Sequence, residues 1–218
     1  MTVLSFDVGT RTLSLCVVSR EDTRVNVLEW RILDLHGEDK KLTMHDLSER
    51  CVKRLAELEL METYRPDTVL IETQRGGKFG NATMMSISHV LHAFVVTCAH
   101  YLKAPCNVVF MSPTLKIAAA VKLLPPEEEE ATLEGTLEGA AELTTRQKNY
   151  QFYKKNKKVS KDAVALLLTD NTRMQLGPEL KATYAASKKK DDLADSFMQA
   201  YAYLHPAQVP KKRKRTEK

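Results

Sequence analysis

The chain has 218 residues, 43% of them hydrophobic and 28% charged, which suits one globular domain with a sizeable core and leaves no room for two independent cores. The formal net charge of +5 equals that of the tail after His205, where Lys211, Lys212, Arg213, Lys214, Arg215 and Lys218 face only Glu217. Residues 125–145 hold seven glutamates and no base, which leaves +7 on the remaining body. That balance favours a polyanionic partner. No apolar run approaches the roughly 20 residues of a membrane span, 90–99 being the longest, and no secretory signal opens the chain, so an intracellular protein without a membrane partner is expected.

In chain order, residues 3–8, 12–19 and 24–33 are apolar and β-branched, separated by turn-prone or charged positions, and read as consecutive antiparallel strands. Leu47, Cys51, Leu55 and Leu58 recur at helical spacing within 44–63. Residues 68–73 form a short buried strand, Asn81 caps a helix over 82–102, and a strand at 107–111 leads through Ser112 as N-cap and Pro113 at the first helical position into a helix ending near Leu124. The stretch PPEEEEATLEGTLEGAAELTT, with its tandem TLEGTLEG, is a solvated low-complexity insertion at about 125–145. From Thr145 the chain is basic and helical, with further helical segments at 162–170 and 192–204, before a disordered basic tail at 205–218. One mixed α/β domain over 1–204, carrying the insertion, is the expected organisation.

Five acids stand out. Asp7 ends the first strand, with Phe6 and Val8 on the opposite face, and Gly9 allows a tight turn directly after it. Glu72 repeats the pattern in VLIETQ, and a carboxylate in an apolar strand is costly to bury without a cation. In KKKDDLADSFMQA, Asp192 and Asp195 are three apart and share a helix face, while Asp191 is placed to cap the helix. First-turn acids also stabilise a helix through its dipole, which is the plain reading of that segment alone. Together, an Asp, a Glu and an Asp-x-x-Asp pair supply the hard oxygen ligands that magnesium takes, in the number that a pair of ions acting on a phosphodiester requires.

With FDVGTRTLSLCVV, VLIETQR, SPTLK and KKDDLADS in this order, the chain resembles the RuvC-type Holliday-junction resolvases, most closely the branch with the poxvirus and fungal mitochondrial enzymes. The resemblance implies an RNase H-like fold, a five-stranded mixed sheet of order 3-2-1-4-5 flanked by helices. It implies a homodimer that cuts opposing strands of a four-way DNA junction with magnesium or manganese, two ions being expected, and no small-molecule cofactor. Carried over by position, Asp7, Glu72, Asp192 and Asp195 are the catalytic metal ligands, with Asp191 left open as the alternative to Asp192. Lys116 in SPTLK is expected to contact the scissile phosphate. The acidic insertion is not part of the family pattern.

For DNA contact, Lys154, Lys155, Lys157 and Lys158 are candidates, with Arg146, Lys148 and Lys161, around Tyr150, Phe152 and Tyr153, whose rings are read as core-facing. Lys188, Lys189 and Lys190 adjoin the acids, and Arg75, Lys78 and Asn81 lie in or beside the glycine-rich loop QRGGKFGN. His89, His92 and His100 are read as ordinary helix residues, and Cys16, Cys51, Cys98 and Cys106 as reduced, mostly buried thiols. The tail PKKRKR fits a nuclear-localisation signal or a DNA anchor, so a nucleus or a cytoplasmic viral replication site are both open. The rival readings are a non-catalytic junction-binding module on the same fold and a fragment of an actin-like or sugar-kinase-type ATPase, which shares D-x-G-T but needs a second glycine-rich motif that this chain lacks.

Overall fold

The computed structural model describes residues 1–74, 76, 80–125 and 145–206, except for the side chains of 145–150, 152 and 153. The acidic insertion from 126 to 144, the tail from 207, Arg75 and Lys78 lie outside the described residues. Strands β1 (Thr2–Asp7), β2 (Leu13–Glu21) and β3 (Arg24–Leu33) form an antiparallel meander. Helices α1 (Met44–Glu57) and α2 (Leu60–Tyr64), strand β4 (Thr68–Glu72), helix α3 (Ala82–Tyr101), strand β5 (Asn107–Met111) and helix α4 (Pro113–Leu123) follow. The chain continues through helix α5 (Thr145–Thr169), strand β6 (Met174–Leu176) and helices α6 (Pro178–Ala186) and α7 (Lys190–Leu204).

The sheet order β5-β4-β1-β2-β3-β6 contains the expected 3-2-1-4-5 order and adds a sixth strand. β6 pairs parallel with Val25–Val27, and its three residues are too few for periodicity to have shown. Beyond Val27 the register of β2 and β3 slips, leaving Leu28 unpaired opposite the Val17–Val18 step.

Alternation along the strands sorts side chains onto two cores. Leu4, Phe6, Leu15, Val69 and Ile71 pack toward α1 and α3, whereas Val3, Cys16, Leu70 and Met111 pack toward α4, α5 and α7. By the same parity Asp7 and Glu72 face the α4, α5 and α7 side.

The caps expected at Asn81 and Ser112 are formed: Met84 N–H donates to Asn81 Oδ1 and Thr114 N–H to Ser112 Oγ. Other local expectations need correction. The helix expected over 44–63 breaks at Glu59, which is left-handed at φ 47°, and α5 is one helix of 25 residues. The cap of α7 is Lys189, so Asp191 is a first-turn residue rather than the cap. Helix α3, whose 20 residues include an 18-residue window of mean hydropathy 1.4 that is 22% buried, is long and apolar enough by length and composition to cross a membrane. This overturns the expectation that no run approaches that length, because Met84, Met85 and Ile87 extend the run upstream past the histidines. All four cysteines are free; Cys16 and Cys51 are buried, Cys98 and Cys106 half-buried.

Candidate active site

β1 and β4 run parallel with Phe6 beside Ile71, so Asp7 and Glu72 end neighbouring strands on the same face. Gly9 makes the turn after Asp7 possible: a Cβ there would sit 2.9 Å from the Thr12 carbonyl oxygen. Helix α7 crosses β1 and β2 on this face, and two buried polar ties fix it. Ser14, paired with Asp7 in the β1–β2 register, shares a 2.7 Å hydrogen bond with Ser196, and Gln199 Nε2 donates to the Phe6 carbonyl at 3.2 Å. Residues on either side of the acids thereby hold Asp195 against Asp7.

Lys116, on α4 and 4% exposed, extends into this cluster. Its ammonium lies 2.9 Å from Asp7 Oδ1, 2.9 Å from Glu72 Oε1 and 3.2 Å from Asp195 Oδ2. Burial raises Asp7 to about 8, opposed by Lys116 and reinforced by Glu72 and Asp195. Burial likewise raises Asp195, with Lys116 and Ser160 pulling it back. For Lys116 burial alone would favour the neutral amine, but the three carboxylates prevail and hold it protonated. Gln74 Nε2 donates to Glu72 Oε2 at 3.0 Å and orients the second acid.

Asp192 is not bound to Lys116. Its Oδ1 accepts from Lys157 Nζ at 2.9 Å, and the same ammonium contacts Asp191. Burial works against ionisation of Asp191, yet the bond and charge of Lys157 hold it below the usual carboxylate range. Asp192 is the more buried of the two, with a side chain 9% exposed against 22%.

Among the described residues no three His, Cys, Asp or Glu side chains are grouped as a metal would hold them. The donors nonetheless suit a hard divalent cation. All are carboxylate oxygens, and three of the acids meet one buried ammonium, which marks a position that already takes a cation.

Of the expected DNA-contacting residues, Lys154, Lys158, Lys188 and Lys189 are exposed and Lys155 and Lys190 half-buried, while Asn81 is engaged as a cap. The contributions of Gln74, Ser14, Ser196 and Gln199 were not anticipated; the signal for Gln74 was its place in IE-x-Q, and none marked the other three. His92 stacks on Phe110 at a ring distance of 5.6 Å, and His89 meets the same ring tilted, at 6.0 Å.

The model of the poxvirus A22 protein family matches residues 1–119. Among solved structures, the yeast mitochondrial Holliday junction resolvase Ydc2 aligns over 93% of this chain and 78% of its own, at 21% identity and a TM-score of 0.56, and shows the resolvase version of the RNase H-like fold. The fowlpox virus Holliday junction resolvase (13% identity, 94% and 98% covered, TM-score 0.48) and Thermus thermophilus RuvC in complex with Holliday junction substrate (12%, 94% and 95%, 0.47) also align. A search of curated protein sequences gives no match. More than half the chain thus fits one family model, and the chain belongs to the poxvirus A22 protein family, the poxvirus Holliday-junction resolvases.

Proposed function

We propose that this protein is a structure-selective endonuclease that resolves four-way DNA junctions by hydrolysing one phosphodiester in each of two opposing strands. The observation that carries the reading is the convergence of Asp7, Glu72 and Asp195 on one buried cation position, with Asp192 a turn away on the same helix. Asp7, Glu72, Asp192 and Asp195 would hold magnesium or manganese. Two such ions, when bound, supply an activated water and charge stabilisation at the leaving oxygen. Hydrolysis of this kind would break the bond to the 3′ oxygen, which takes up a proton as water adds to phosphorus, and would leave 5′-phosphate and 3′-hydroxyl ends. Lys116, whose ammonium already lies among these acids, would bind the scissile phosphate when metal takes its place on them.

Among the described residues each chain holds one such cluster, so paired cuts call for two copies. Helices α1 and α3 offer the surface for a homodimer: Val52 and Val96 are 41% and 46% exposed beside a groove lined by Val90, Ala93, Phe94 and Cys98. The lysines of α5 and of the turn before α7 would lie along the DNA backbone, and the basic tail would anchor the complex or direct the protein to the nucleus.

The test is a labelled mobile four-way junction incubated with the protein and magnesium beside linear duplex and flap controls. Paired nicks that disappear with chelator and in Asp195→Asn, while junction binding persists, are the expected result. Binding without cutting in the unaltered protein would identify a junction-binding module instead.

A further inference from the structure

Lys157 belongs to the basic helix expected to face DNA, but it points inward. Its side chain is 20% exposed and its ammonium joins α5 to the first turn of α7 through Asp191 and Asp192. A lysine meeting only solvent or a distant phosphate keeps its charge in water and its rotamers mobile; holding it between two carboxylates requires that pairing offset both costs. The five acids are therefore sorted into two sets, three on Lys116 and two on Lys157. An ammonium and a divalent cation compete for the same carboxylate oxygens.

We infer that Lys157 is a positioning residue that acts through Asp192: it orients that carboxylate from α5 and competes with a divalent cation for it, so that complete loading of the site requires Lys157 to be drawn off, as a DNA phosphate can do. The inference rests on the metal-dependent reading above. It assigns Asp192, the more buried member of the pair, to the metal, and leaves Asp191 as the partner that keeps Lys157 close when Asp192 is released. It also makes cation uptake and DNA binding mutually supporting, because each removes what opposes the other.

The single tryptophan provides a readout independent of cleavage. Trp30 Nε1 donates to the Leu193 carbonyl at 2.9 Å, between Asp192 and Asp195, so its emission reports whether this turn is intact. The experiment titrates Mn2+ into the full-length, DNA-free protein, following unbound ion by electron paramagnetic resonance and Trp30 by fluorescence. It compares the unaltered protein with Lys157→Met, Lys157→Gln, Lys157→Arg and, as a charge control on exposed α6, Lys181→Met.

The weakest-bound Mn2+ should bind about tenfold tighter in Lys157→Met and Lys157→Gln. Lys157→Arg and Lys181→Met should match the unaltered protein, and saturating four-way junction should narrow the gap. Unchanged or weaker Mn2+ binding in whichever neutral variant keeps native Trp30 emission overturns the role of Lys157 while leaving the metal-dependent reading standing. Failure of every protein, the unaltered one included, to bind Mn2+ overturns that reading itself and this inference with it.

Discussion

Lys116 has given up its water for three carboxylates at 2.9, 2.9 and 3.2 Å, and removing it leaves their charges buried without a counter-ion. Lys116→Met is expected to lower the stability of the metal-free protein by about 3–5 kcal/mol, measured by urea unfolding in chelator, with magnesium recovering part of the deficit. The polar ties beneath the acids make a separate prediction. Gln199 is 1% exposed and holds the carbonyl beside Asp7, so Gln199→Leu should cost about 1–3 kcal/mol by orphaning that carbonyl. It should also slow junction cleavage far more than it weakens junction binding, because it loosens Asp7 relative to Asp195 without touching a DNA-facing charge. A matched loss of cleavage and binding in stopped-flow and gel-shift measurements would contradict that account.

At the scale of the element, α1 begins with a reciprocal cap: Asp46 N–H donates to Thr43 Oγ1, and Thr43 N–H and Oγ1–H donate to Asp46 Oδ2. These bonds from Thr43 hold Asp46 below its ordinary carboxylate range. A depressed carboxylate contributes stability that is present above its unfolded value and is lost as pH falls through the folded one. Thr43→Ala should therefore lower the melting temperature near neutral pH, and its gap from the unaltered protein in thermal melts should shrink on acidification below the usual carboxylate range. Caps of this kind are local, which is why Asn81 and Ser112 were legible in sequence, as was the parity that turns Asp7 and Glu72 to one face. β6, α6 and the break at Glu59 were not legible. A three-residue strand has no period, and the left-handed turn at Glu59 reflects how α2 packs rather than a glycine or proline signal. The ion pairs of Lys157 were not legible for a related reason: its partners lie 34 and 35 residues downstream, and only the packing of α5 on α7 shows that a basic helix residue faces acids. The five acids were found because chemistry restricts what can surround a carboxylate in an apolar strand, whereas Ser14, Ser196 and Gln199 look like any small or polar residues.

At the scale of the whole molecule, the proposed dimer surface is separable from the acid site, because α1 and α3 pack on the opposite face of the sheet from α4, α5 and α7. Val96→Glu should give a monomer by light scattering that retains its fold and nicks single strands without pairing the cuts; a dimer that still pairs them would move the interface elsewhere. The arrangement of the acids also has a bearing on synthesis. Asp7 ends β1, while Asp195 sits on α7, and the buried contact that aligns these two elements joins residues 193 positions apart. Because chains emerge N-terminus first, β1 and β4, with Asp7 and Glu72, are made well before the α7 acids that complete the proposed site. On the proposed reading, a chain not yet extended through α7 lacks Asp192 and Asp195 and would not cut DNA while still being made, and a product truncated before α7 would be harmless to the genome.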